Sequence, residues 1–326
     1  MGVADYARTR SSFGEEGDVA QQVAFGMQLP VQSQSTLYAR EWEAAAGVDE
    51  IVQVAQACEE AGFDYVAVCD HVAIPSANAE AMSTSWWDTI ATLSYLAAVT
   101  ERVRLLSHVY VLPYRHPLVV AKAWATLDAL SGGRAILGVG AGHVRDEFAA
   151  LDVSFDERGA LLDEAIDAVR AALVDEFASH KGERWSFDGV GQRPRPVQSP
   201  LPIWVGGSSK PAMRRAAERG DGWLPQGPPE GGMEAGIAFV RSHRAATRGD
   251  DPIVLGALSG PLYVGDPTWD TGRCVRGSAD KVAAYVRTYR DMGVDQIQVA
   301  FPSRSVDESC DQIAAFAADV APLVNA

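Results

Sequence analysis

The chain has 326 residues and a formal net charge of −15, with 47% hydrophobic and 22% charged residues, 30 glycines and 17 prolines. This is the balance of a globular protein, not a disordered or fibrous one; the charge and the lack of any Lys/Arg run exclude nucleic acid as a partner. Residues 1–20 hold no apolar core of a secretory signal, and no stretch nears the roughly eighteen apolar residues of a membrane span, so no membrane partner and a cytoplasmic setting are expected.

Past residues 1–22, expected to be a flexible segment, short apolar runs alternate with stretches of helical period, the pattern of repeated βα units. Strands are predicted at 23–29, 65–69, 103–112, 134–139, 202–205, 222–225, 253–264 and 296–300. Helices follow them at 49–61, 86–100, 118–130, 157–177, 210–219, 233–247, 279–292 and 308–320. Pro117 suits a first helical turn, Ser131-Gly132-Gly133 ends that helix, and Asp156 and Ser278 can cap later ones. One helix for each of eight strands predicts an α/β fold, a (β/α)8 TIM barrel filling residues 23–326 as a single domain. An open doubly wound sheet would favour a phosphate loop directly after its first strand, and Gln28-Leu29-Pro30 is none. Segments 31–48, 73–85 and 180–199 exceed a tight turn and are expected as loop insertions at the C-terminal face; in the third, residues 184–189 alternate as a small hairpin does. Cys58, Cys69, Cys274 and Cys310 form no CxxC pair and read as reduced, mostly buried thiols.

In such a barrel the reacting groups project from the C-terminal ends of the strands. Three of the six histidines, His71, His108 and His143, fall at or near the ends of strands two, three and four. Asp70-His71 follows the run 65–69, which sets the carboxylate beside or behind the imidazole. His71 reads as a loop-holding hydrogen bonder or as an acid/base, and its strand-end position favours the second. The run from Gly138 to His143 enters small residues, which let a ligand approach the backbone or relieve crowding where a strand turns. His143 is then a second acid/base, a hydrogen-bond partner for a carbonyl, or a surface residue. Between Pro202 and Lys210 a strand, a glycine pair and a helix follow one another; free N–H groups at that helix start suit a phosphate, the simpler alternative being an N-cap by Ser208 or Ser209. His108-Val109 lies in a long apolar run and reads as core or rim, and Trp86 and Trp87 open a helix as a wall for a ring system or as core. No metal is expected: a zinc hydrolase would need the three strand-end histidines as ligands, and strand one lacks the HxH such barrels begin with.

The segments Leu112-Pro113-Tyr114-Arg115-His116-Pro117, Leu127-Asp128-Ala129-Leu130-Ser131-Gly132-Gly133-Arg134 and Gly138 to Gly142 together resemble the luciferase-like monooxygenase superfamily. The likeness extends from Phe25-Gly26 through Asp70-His71 to residues 202–207 and Asp221-Gly222-Trp223, and is greatest to the branch dependent on the deazaflavin coenzyme F420. It implies a homodimer that moves a hydride between C5 of F420 and a small, largely apolar organic substrate. It implies that Asp70 and His71 flank the ring, with His71 as proton donor or acceptor. Ala141, Gly142 and Asp146 would contact the coenzyme's side chain and ring edge, and Gly206, Gly207 and Ser208 its phosphate. His108-Val109 would be a non-prolyl cis peptide supporting the ring. His108 departs from the small residue usual there, and His143 stands where sugar-phosphate-oxidising relatives carry a glutamate. Within the superfamily the alternative is an FMN-dependent monooxygenase using O2; outside that class it is a metallohydrolase or a non-catalytic coenzyme-binding barrel.

Overall fold

A computed structural model describes residues 22–36 and 39–326, so the predicted flexible segment at 1–22 lies outside the described residues apart from Gln22. In chain order the strands are β1 (Ala24–Gln28), β2 (Tyr65–Val68), β3 (Arg104–Ser107), β4 (Tyr110–Val111), β5 (Ala135–Gly140), β6 (Phe177–Lys181), β7 (Ser186–Gly191), β8 (Ile203–Val205), β9 (Gly222–Trp223), β10 (Val254–Val264), β11 (Val275–Gly277) and β12 (Gln296–Ala300). Parallel pairing runs β10, β12, β1, β2, β3, β5, β8, β9 and returns from β9 to β10, which closes an eight-position barrel. Its outer ring includes the helices Val48–Glu60, Thr89–Val99, Pro117–Ser131, Arg158–Val174, Lys210–Arg219, Met233–Arg248, Ala279–Asp291 and Val306–Ala315. The fold is the predicted (β/α)8 barrel. No helix of the described residues is long and apolar enough to cross a membrane.

The barrel is filled, not hollow. Tyr65, Leu106, Ile136, Trp204 and Leu224 pack inside it, Tyr65 and Trp204 edge to face at 5.7 Å. Gly26 pairs with Tyr65 across the ladder, and a Cβ at 26 would lie 2.2 Å from the phenol ring; glycine is what lets the ring fill the interior. A larger apolar cluster joins the outer faces of the strands to the helices. At the N-terminal end of the barrel Arg134 is buried, and Gly132 (φ 69°) and Gly133 (φ 89°) make the left-handed turn that brings the chain from helix Pro117–Ser131 into β5. The first and last parts of the ring are tied side chain to backbone: Asn325 Oδ1 accepts from Val23 N at 2.8 Å, and its Nδ2 donates to Val23 O at 3.0 Å.

Several boundaries depart from the sequence reading for local reasons. The strand expected at 103–112 is interrupted: Ser107 Oγ donates to Gly138 O (2.7 Å) and accepts from Gly138 N (3.0 Å), a side chain standing in for a ladder bond. The His108–Val109 peptide that follows is cis, and two residues of β4 lead into a 3-10 turn at Leu112–Tyr114. The helix expected from Trp86 starts at Thr89, because Asp88 caps it by accepting from Ala91 N at 2.8 Å. Trp86 and Trp87 therefore precede the helix, Trp86 bridging to Ser33. The helix expected to reach residue 177 ends at Val174; Phe177 begins β6, which pairs antiparallel with β7 in a longer hairpin than 184–189. Ser278 caps its helix as expected, whereas Asp156 is ion-paired with Arg145 at 2.7 Å instead. All four thiols are free, but only Cys58 is fully buried.

Candidate active site

A cavity of about 460 Å³ opens at the C-terminal face. Its floor is backbone and small aliphatic groups: Val109 occupies the space beside Gly140 and Gly206, where an added Cβ would meet its methyls at 2.4 and 2.5 Å. Ala141 and Gly142 continue that floor, Gly142 at φ 79° with no room for a side chain against Phe148 and Val111. A flat ring system suits such a floor, since only the small aliphatic side chains of Val109 and Ala141 project from it.

His71 lines one wall, its side chain only 7% exposed. The sequence reading set Asp70 beside or behind it, and the structure gives the imidazole another carboxylate: His71 Nδ1 lies 2.7 Å from Glu147 Oε2. Glu147 is wholly buried, and its carboxylate also accepts from Val72 N (2.6 Å), Ala73 N (3.1 Å) and the Tyr114 hydroxyl (3.0 Å). Burial alone would push this carboxyl up, but the bonds from His71, Ala73 and Val72 outweigh it and hold Glu147 below the usual carboxylate range. Glu147 sits on the short helix Arg145–Ala150, which the sequence reading missed.

Asp70 is committed elsewhere. Its carboxylate takes both terminal nitrogens of Arg115 (2.6 and 2.8 Å), Val111 N (2.8 Å) and Thr89 Oγ1 (3.2 Å), while Arg115 stacks 3.9 Å over Tyr110. It borders the cavity but acts as a clamp joining the end of β2 to β4 and the 3-10 turn. Beside it Cys69 is a neutral thiol, pushed to about 11 by burial and accepting from the amides of Gln32 (3.0 Å) and Gln28 (3.4 Å).

Of the other two histidines, His143 joins the site and His108 does not. The rings of His143 and His71 stand perpendicular at 5.5 Å; His143 reaches solvent at the cavity wall, and partial desolvation of its ring and the nearby His71 lower its ionisation below the ordinary range. His108 is buried in the barrel interior, Nε2 3.0 Å from Leu224 O, and burial holds it at about 4; only its neighbour Val109 reaches the cavity. Trp86 packs its ring 4.4 Å from His71, and its indole N–H donates to the carbonyls of Met82 and Ser83. Trp87 does not line this cavity.

The far end of the cavity carries anion-binding chemistry. Gly206, Gly207 and Ser209 border it at the start of helix Lys210–Arg219, where backbone N–H groups and the helix dipole favour a negative charge. Ser209 is the cap, its Oγ 3.4 Å from Ala212 N; Ser208 turns away and donates to Gly227 O at 2.5 Å. Arg158 and Arg215 border the same end and were missed in the sequence. Arg215 is fixed by Asp163 (2.6 Å), whereas Arg158 spends one N–H on Phe155 O and stacks 3.8 Å over that ring. Asp146, expected against the coenzyme, is exposed and does not border the cavity: consecutive residues of that short helix point apart, and its neighbour Glu147 takes the inner face.

Residues 23–270 match the family described as luciferase-like monooxygenase, well over half of the chain. The chain belongs to this family. Among similar proteins, an uncharacterized protein of Mycobacterium tuberculosis (strain H37Rv) is 32% identical over 220 residues, 64% of this chain and 76% of that one. An F420-dependent hydroxymycolic acid dehydrogenase of the same organism is 35% identical over 211 residues, 64% of this chain and 57% of the relative. The crystal structure of the monooxygenase RslO1 from Streptomyces bottropensis has the same fold, with a TM-score of 0.77 at 22% identity, covering 92% of this chain and 99% of that one.

Proposed function

We propose that the chain is an F420-dependent oxidoreductase that moves a hydride between the deazaflavin C5 and a small, largely apolar organic substrate, with His71 as proton donor or acceptor. The observation that carries this reading is the placement of His71: its Nδ1 is held by Glu147, its ring lines the cavity, and Nε2 is left for a reacting group. The similar F420-dependent dehydrogenase supports the choice of coenzyme. When bound, F420 supplies the carbon that gives or takes the hydride. Val109, Ala141 and Gly142 would support its ring, with Asp70 and His71 at the edge. Gly206, Gly207, Ser209 and Arg158 would hold its phosphate. Trp86 and Met82 would enclose an apolar substrate and keep water from it. A single domain over residues 23–326, a homodimer and a cytoplasmic setting complete the proposal. The second reading, an FMN-dependent monooxygenase, is favoured by the family's description.

Titrating the protein with F420 and with FMN, followed by tryptophan fluorescence, separates the two. Micromolar binding of F420 with none of FMN is the expected result, and a preference for FMN overturns the reading. His71→Asn is expected to lower turnover by about 10² to 10⁴ while leaving F420 affinity within about twofold. Unchanged turnover removes His71 from the mechanism.

A further inference from the structure

We infer that Glu147 is the positioning residue that fixes His71 as its Nδ1–H tautomer and makes Nε2 the atom through which a proton passes in the cavity. Each of the four groups around Glu147 has its own lone pair: Val72 N and Ala73 N on Oε1, the Tyr114 hydroxyl and His71 Nδ1 on Oε2. A buried carboxylate that is ionised has no proton to give, so Nδ1 of His71 must bring one. The bond made by one ring nitrogen decides the state of the other. An unrestrained neutral imidazole carries its proton mainly on Nε2, so this geometry imposes the less common form. The consequence is directional: a neutral His71 meets a substrate hydroxyl with a bare Nε2 and accepts its proton, and the imidazolium so formed returns that proton in the reverse reaction. Glu147 touches neither substrate nor coenzyme. It acts through His71 and, by holding Val72 and Ala73, through the path of the loop that carries it.

Glu147→Gln tests this without changing volume. The N–H groups of Val72 and Ala73 need an acceptor, so the amide oxygen must face them and the amide NH2 must face Tyr114 and His71. His71 is then forced to accept at Nδ1 and to carry its proton on Nε2, the inverted tautomer. In serine proteases the same carboxylate-to-amide change behind a catalytic histidine keeps the geometry and lowers turnover by about 10⁴.

The measurement is a 15N–1H correlation spectrum of the histidine rings in ligand-free protein, with His71 assigned by its loss in His71→Asn. Neutral wild-type His71 is expected protonated at Nδ1, Glu147→Gln at Nε2, and Tyr114→Phe as wild type. Turnover of Glu147→Gln with F420 should fall about a hundredfold, with KM and F420 affinity within about twofold. Wild-type His71 protonated at Nε2, or a tautomer indifferent to Glu147→Gln, overturns the inference; if Glu147→Gln does not fold, the wild-type spectrum alone decides. The role in turnover rests on the proposed function, but the tautomer does not. The predicted spectra together with full turnover of His71→Asn would sink the proposed reaction and leave the positioning intact. A tautomer unmoved by Glu147→Gln with an inactive His71→Asn would do the reverse.

Discussion

The two ends of the barrel use charge in opposite ways. At the N-terminal end Arg134 spends its guanidinium entirely on structure. It donates to the carbonyls of Ser131 (2.8 Å), Val103 (2.9 Å), Ala97 (2.8 Å) and Thr100 (3.0 Å), and to Thr100 Oγ1 (2.9 Å), gathering the loose end of helix Thr89–Val99 and the entry to β3. Asp128 likewise binds Gln198 and Ala135 through its carboxylate. At the C-terminal end, His71, His143 and Arg158 keep polar atoms facing a cavity. The segment from Leu127 to Arg134, among the strongest carriers of the family likeness, thus builds the scaffold and touches no chemistry. It says which barrel this is, and the strand ends opposite must be read separately for what it does.

Substitutions can break that contrast. Arg134→Ala strips five bonds from buried acceptors and is expected to cost about 3 kcal/mol or more in denaturant unfolding, while the folded fraction binds F420 within about twofold of wild type. A parallel loss of affinity would mean the two ends are coupled. The interior between them is probed by His108. Its folded ionisation lies at about 4 against an ordinary 6.5, so on acidification the unfolded chain takes a proton that the folded one refuses. Stability is therefore complete above 6.5, falls between 6.5 and 4, and loses on the order of 3 kcal/mol at most from this group. Unfolding curves of wild type and His108→Gln across that range should converge on acidification; parallel curves would show that His108 takes up its proton without cost. The smallest effect separates neighbouring serines at the cavity's anion end. Ser209→Ala should lose about 1 kcal/mol of stability and weaken F420 binding, whereas Ser208→Ala should leave the affinity unchanged. Equal effects on binding would return Ser208 to the phosphate site.

What was legible in the sequence follows from range. Strands and helices show in local period, and the glycine runs 138–142 and 206–207 announce close backbone approach wherever they fall. Partners do not show. Asp70 stands next to His71 in sequence and drew the expected pairing, but successive residues leaving a strand face opposite ways, and Asp70 turns to Arg115 instead. The true partner of His71 lies 76 residues away on a six-residue helix too short to display a period. Arg158 and Arg215 reach the cavity from outer helices whose inward faces cannot be aimed from sequence alone. Trp86 was displaced from its helix by Asp88, a cap that composition permitted but the apolar run concealed.

The tie between Val23 and Asn325 joins positions 302 residues apart. A ring sealed by such a bond closes late: β1 waits without its second neighbour until β12 arrives. Until then the partly folded barrel carries an open sheet edge, and its vulnerability to sticking lies in that interval and not in the closed ring.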